Sequence, residues 1–172
     1  MLKQFSPFLP LLIISQVCGL GSAFGQAPPN QDFFECGYYS PDENDISGPP
    51  ISFYAELSAD EQSAVTESPG VGRVDLVLDR STLRLNWEVS YSNITSSAIG
   101  LHIHGPQTPG GEAGIIIDLA PGEMMNPIKG SEVLTEGTMI YLVQDRLYIN
   151  LHTTNYPAGE LRGHIKKVRK QC

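Results

Sequence analysis

Apolar and polar residues alternate with a period of two along much of the chain from residue 51 onward. The segments 51–58, 73–78 and 83–91 place aliphatic or aromatic residues at every second position, with mostly polar residues between them. Successive side chains of a strand point to opposite faces, so this pattern is typical of strands with one buried face and one solvated face. The first half of the folded region is therefore predicted to be antiparallel β-structure.

The rest of the chain continues in short strands separated by glycine and proline. Trp87 shares a strand face with Leu85 and Val89 and is predicted to lie in the core. Residues 135–145 are predicted to contain the one short helix, although Gly137 weakens it. Many short strands with little helix indicate an all-β fold, an antiparallel β-sandwich or a small barrel. The further predicted strands are 98–104, 115–119, 128–134, 147–153 and 160–168.

The first 25 residues have the features of a secretory signal peptide. Lys3 supplies a positive start, a short apolar stretch follows, and Ala23-Phe24-Gly25 resembles a cleavage site before Gln26. The apolar stretch is too short for a membrane span, and no later segment is apolar enough for one. We therefore expect a soluble protein that is secreted or periplasmic, without a transmembrane segment.

The chain after the predicted signal peptide is acidic, and its turn-forming residues indicate how it is divided into segments. Removing Lys3 with the signal changes the formal net charge from −8 to −9, which disfavours nucleic-acid binding because phosphates would be repelled. Residues 26–49 are predicted to form an irregular lead-in, 50–168 one domain and 169–172 a C-terminal tail. The acidic run 41–45 offers oxygen ligands for calcium but lacks the spacing of a calcium loop, so a solvated linker is the preferred interpretation.

Two cysteines remain after signal cleavage. Cys36 and Cys172 lie near the two ends of the mature chain, and an oxidising compartment favours a disulfide between them. A loop of that length would contribute about 4–5 kcal/mol in the chain-entropy model, less any strain. The alternatives are two unrelated thiols or pairing between chains.

Three of the four histidines occupy polar strand positions. His102 and His104 share one strand face at a separation of roughly 6–7 Å along the backbone, and His152 lies on the polar face of another strand. If these strands are neighbours, three imidazoles meet in a donor set that suits copper or zinc. The same residues also allow a purely structural network, in which His102 bonds a loop carbonyl.

Four segments together resemble the CHRD domain, a module named after chordin. The resemblance covers roughly residues 50–168, with two departures from the usual pattern, Ala158 in place of glycine and His164 where glutamine is common. The segments that carry it are Phe53–Ser58, His102–Pro106, Leu147–Thr153 and Pro157–Gly163.

The resemblance implies an immunoglobulin-like β-sandwich related in fold to copper-zinc superoxide dismutases. By that comparison, His102 and His104 are similar to the first two copper ligands of those enzymes, and His152 is similar to a further one. Arg162 is similar to the arginine that guides the anionic substrate. No histidine lies between residues 105 and 114, so the zinc loop has no counterpart and only a mononuclear site is expected.

The predicted function is that of an exported single-domain CHRD protein, a binding or structural module with an unidentified extracellular or periplasmic protein or ligand as its partner. Its cofactor, if it has one, is copper or zinc, and no residue is assigned a catalytic role. The alternative is a mononuclear copper protein similar to superoxide dismutase, in which Arg162 contacts an anion. Arg162 can also pair with Glu160, Glu112 or Asp118, which would make its role structural.

Overall fold

The structure is a computed structural model that describes residues 48–107, 111–122 and 124–169. The predicted signal peptide, most of the lead-in, and both Cys36 and Cys172 lie outside these residues, so the disulfide stays a prediction. No helix in the described ranges is long and apolar enough to cross a membrane. The strands are β1 (Ile51–Ser58), β2 (Val71–Asp79), β3 (Arg84–Ser92), β4 (Ala98–His104), β5 (Ile115–Asp118), β6 (Ile128–Val133), β7 (Tyr148–Thr153), β8 (Leu161–His164) and β9 (Lys166–Lys167).

The nine strands of the described residues belong to one antiparallel sheet in the order β5-β4-β7-β8-β1-β2-β3-β6, and β9 pairs with β1. The predicted all-β class is confirmed, and the sheet curls into a half-barrel. The indole Nε1 of Trp87 on β3 donates a 3.1 Å hydrogen bond to the carbonyl of Leu119, just after β5. The curl therefore brings strands from opposite ends of the order together.

The core is built mainly from every second residue of the strands, as the burial of β1, β2 and β3 shows. Trp87 is 7% exposed, which confirms its predicted place in the core. The edge strands β5 and β6 each contribute one buried residue, whereas five of the six residues of the central strand β7 are buried. Fully or almost fully buried aliphatic and aromatic residues include Phe53, Leu76, Leu85, Leu101, Ile103, Ile149 and Leu151.

Two local elements differ in detail from the pattern-based boundaries. The predicted helix is present as α1 (Glu136–Val143), and the side chain of Thr135 caps it by accepting a hydrogen bond from the backbone of Thr138. The strand predicted at 160–168 is divided into β8 and β9 by Ile165. The Ile165 side chain is fully buried and its backbone N–H bonds the carbonyl of Leu147, while β9 pairs with β1 alone.

Candidate metal centre

Strand register places the predicted site residues on one polar surface of β4, β7 and β8. His102 pairs with Asn150, His104 with Tyr148, and Gly100 with His152 across β4 and β7. Paired residues point to the same side of a sheet, and β8 adds its own alternate residues to that side. We call this surface the histidine face, and its members are Gly100, His102, His104, Tyr148, Asn150, His152, Arg162 and His164.

The structure brings His102, His104 and His152 together. The centroid of the His102 ring lies 5.8 Å from that of His104 and 4.9 Å from that of His152, and His104 and His152 are 6.0 Å apart. One ring nitrogen from each residue lies within 4.8 Å of the other two. Two nitrogens on one ion at bond lengths of about 2.1 Å are at most about 4.2 Å apart, so small side-chain rotations would complete the geometry.

Two backbone carbonyls orient two of these rings. The Nδ1 atom of His104 lies 3.0 Å from the carbonyl oxygen of Ala113, and Nδ1 of His152 lies 3.0 Å from that of Pro157. A carbonyl can only accept, so each Nδ1 carries the proton. In the neutral ring this leaves the lone pair on Nε2, which is the arrangement found in metal-ligating histidines.

One nitrogen on each ring is shielded from solvent and has no hydrogen-bond partner among the described residues. These atoms are Nδ1 of His102, Nε2 of His104 and Nε2 of His152. Buried polar atoms are normally hydrogen-bonded, and each exception costs about 1–3 kcal/mol. Three such exceptions on adjoining rings are candidate metal-ligand atoms. Both ring nitrogens of His164 on the same face also have no partner among the described residues, but His164 lies outside the group of three rings.

The protonation of the rings is compatible with metal binding. Burial is the main cause that lowers the pKa of both His104 and His152 below the ordinary imidazole value, and the neighbouring histidines lower it further. Both rings are therefore neutral at physiological pH. A neutral imidazole is the form that binds a metal.

Arg162 lies on the histidine face but contacts a different set of groups from the histidines. Its side chain is 1% exposed, and Nη1 lies 3.6 Å from the carboxylate of Glu112, one of the three acidic partners considered from the sequence. Its Nη2 donates a 2.6 Å hydrogen bond to the carbonyl of Gly111. The guanidinium carbon lies 3.8 Å from the ring centroid of Tyr148. The anion-contact role predicted for Arg162 stays a prediction.

The sequence profile of the CHRD domain matches residues 53–165. The chain belongs to the CHRD family. No curated protein and no solved structure matches it. The distant likeness to copper-zinc superoxide dismutases therefore rests on the residues alone.

Other parts of this CHRD domain support the site without having been predicted from its sequence. Tyr148 is fully buried and stacks on His104 at 5.0 Å with an interplanar angle of 10°. Gly100 lies beside the rings, and a Cβ there would stand 3.0 Å from Cε1 of His102. Tyr148 lies four residues before His152, and Gly100 lies two residues before His102. Alternation therefore places each on the same strand face as its histidine, and this even spacing is the sequence signal that could have identified both residues.

Glu160 of the CHRD domain, a candidate partner of Arg162 by its sequence, hydrogen-bonds Ser68, Thr95 and Thr153. Its buried carboxylate accepts hydrogen bonds from the hydroxyls of Ser68 at 2.6 Å and Thr153 at 2.5 Å. It also accepts from the backbone N–H and hydroxyl of Thr95 at 2.7 and 2.9 Å. Glu160 thus joins three separate segments beside the histidine face.

Proposed function

We propose that this CHRD domain is an exported module that binds a single copper or zinc ion through Nδ1 of His102 and Nε2 of His104 and His152. The observation that carries the proposal is the set of three solvent-shielded, unpartnered nitrogens on rings whose nitrogens approach within 4.8 Å. What sets these atoms apart from the unpartnered nitrogens of His164 is that they belong to three rings close enough to share one ion.

The donor set supports a first-row transition metal. Neutral imidazole nitrogen suits zinc and copper, whereas calcium and magnesium take oxygen ligands. Three protein ligands leave a coordination position for a further group, as in metal sites that bind a substrate or partner. Export is part of the proposal because residues 1–25 have signal-peptide features and CHRD domains are typically extracellular.

The test is titration of the metal-free protein with Zn(II) and Cu(II) by calorimetry. We expect one equivalent of metal to bind. Changes outside the ligand set typically weaken metal binding roughly 10–100-fold, and His104→Ala should weaken it by more than this because it removes a proposed ligand. His164→Ala is the matched control, since His164 also has unpartnered ring nitrogens on the histidine face but lies outside the three-histidine group. Its loss should weaken binding far less than His104→Ala. No binding by the wild type, or equal binding by His104→Ala, would refute the site.

The narrower alternative is a mononuclear copper protein similar to superoxide dismutase. It differs from simple binding in that the bound copper must also undergo redox turnover. A superoxide-consumption assay on the copper-loaded protein, with His104→Ala treated identically, separates the two proposals.

A further inference from the structure

We infer that Tyr148 and Arg162 are positioning residues that hold the ring of His104 in its metal-binding tautomer through the segment 111–113. The inference rests on the proposed metal site and concerns residues that do not themselves contact the ion. It assigns Arg162 a role within the protein rather than toward a bound anion.

Stacking on the Tyr148 ring is the first of two kinds of contact that connect Arg162 to His104. The rings of His104 and Tyr148 are nearly parallel at 5.0 Å, and the guanidinium of Arg162 lies 3.8 Å from the centroid of the Tyr148 ring. Both contacts use the ring of Tyr148, which lies on β7, the strand between β4 of His104 and β8 of Arg162. A cation over an aromatic face is attracted by the ring quadrupole, and this restricts where the ring can lie.

Hydrogen bonds to the segment 111–113 are the second kind of contact that connects Tyr148 and Arg162 to His104. The hydroxyl of Tyr148 accepts a 3.0 Å hydrogen bond from the backbone N–H of Ala113, whose carbonyl accepts from Nδ1 of His104. Arg162 fixes the same segment two residues earlier, by donating to the carbonyl of Gly111. The two side chains therefore hold both ends of the segment that orients His104.

The tautomer of His104 determines whether its Nε2 atom can bind a metal ion. A neutral imidazole places its proton on either nitrogen, and only the form with the proton on Nδ1 leaves Nε2 of His104 to bind the ion. Loosening Ala113 removes the acceptor that selects this form. Outer contacts of this kind typically change metal affinity about 10–100-fold.

The main experiment uses Tyr148→Phe, which keeps the stacked ring and removes only the hydroxyl. Nitrogen-15 NMR of the metal-free protein reports the tautomer of His104, and calorimetry with Zn(II) reports the affinity. We expect a shift from the Nδ1–H form to a mixture and about tenfold weaker zinc binding. Tyr91→Phe is the matched control because Tyr91 lies on distant β3 and is half-buried. Its hydroxyl likewise bonds the backbone, by donating to the carbonyl of Met124.

Arg162→Lys provides a second test of the same chain of contacts. Lysine keeps the charge but cannot reproduce the planar fork of guanidinium, so the same loss of the Nδ1–H form is expected. An unchanged His104 tautomer in folded Tyr148→Phe protein overturns the inference, whatever the zinc affinity. Loss of the tautomer in a protein whose wild type binds neither metal would instead reject the metal site and leave the positioning role standing.

Discussion

At the scale of single residues, the buried polar atoms of Glu160 have hydrogen-bond partners, whereas one nitrogen of each clustered histidine has none among the described residues. The Glu160 carboxylate receives four hydrogen bonds from three residues, so its burial is compensated. Each histidine keeps one shielded nitrogen without a partner among the described residues. A fully bonded carboxylate stabilises the fold, whereas three unbonded nitrogens on neighbouring rings are available to the proposed metal ion.

The role of Glu160 predicts a pH-dependent contribution to stability. Burial acts to raise the pKa of Glu160, but the hydrogen bonds from Ser68, Thr153 and Thr95 outweigh it and lower the pKa below 4.5. The unfolded chain then binds more protons, so this stabilisation is complete above about pH 5.5 and is lost as the pH falls through the folded-state pKa. Glu160→Gln should reduce the free energy of unfolding by about 1–3 kcal/mol at pH 7.

Urea unfolding between pH 3 and pH 7 measures this effect. The difference between wild type and Glu160→Gln should narrow as the pH falls below about 4.5, because the wild-type carboxyl becomes protonated. Glu132→Gln is the control, since Glu132 lies exposed on β6 and should change stability little. A pH-independent difference for Glu160→Gln would contradict the assignment.

Gly100 gives a second prediction at this scale, directed at the site itself. A Cβ at Gly100 would lie 3.0 Å from Cε1 and 3.4 Å from Nε2 of His102, and 3.6 Å from Cδ2 of His152. Gly100→Ala should therefore displace the His102 ring by a few tenths of an ångström and weaken zinc binding roughly tenfold. Gly114→Ala is the matched control because nothing lies within 4 Å of its added Cβ. Calorimetry showing equal affinity for both variants would contradict this account.

At the scale of elements, the sequence predicted strands better than their ends. Alternation identified β4 and β7 because Leu101, Ile103, Ile149 and Leu151 point into the core while the histidines point away. It did not predict the break at Ile165, because a buried isoleucine continues the alternating pattern across the break. Nor did it predict the acceptors at Ala113 and Pro157, since a backbone carbonyl leaves no signal in residue type.

Helix α1 offers a stability prediction through Gly137. This glycine is exposed, and an added Cβ would meet only the Thr135 hydroxyl at 3.8 Å. Gly137→Ala should raise the free energy of unfolding by about 0.5–1 kcal/mol because alanine loses less backbone entropy in a helix. Gly163→Ala is the contrasting variant, since its Cβ would clash with the backbone carbonyl of Glu56 on β1. Thermal unfolding compares the two, and destabilisation by Gly137→Ala would contradict the helix environment described here.

At the scale of the whole molecule, the site depends on the order of the strands. Residues 102, 104 and 152 were placed on polar faces by local pattern, but only pairing of β4 with β7 brings their rings together. Strand order arises from contacts distant in sequence, such as that between Trp87 and Leu119, which alternation does not encode. The fold class was therefore predicted correctly from the sequence, and the metal-binding role of the three histidines stays a prediction. The residues that surround these histidines were identified only in the structure.

Because strand pairing brings the three histidines together, the proposed metal binding should stabilise the whole domain. The unfolded chain does not hold the three rings together, so zinc binds mainly to the folded state. At a free zinc concentration 100 times the dissociation constant, the free energy of unfolding should rise by about 2.7 kcal/mol. For a domain of this size, this corresponds to a shift in Tm on the order of 10 °C in thermal unfolding. His152→Ala should lose this shift and His164→Ala should keep it, whereas an equal shift in both variants would place the zinc outside the three-histidine site.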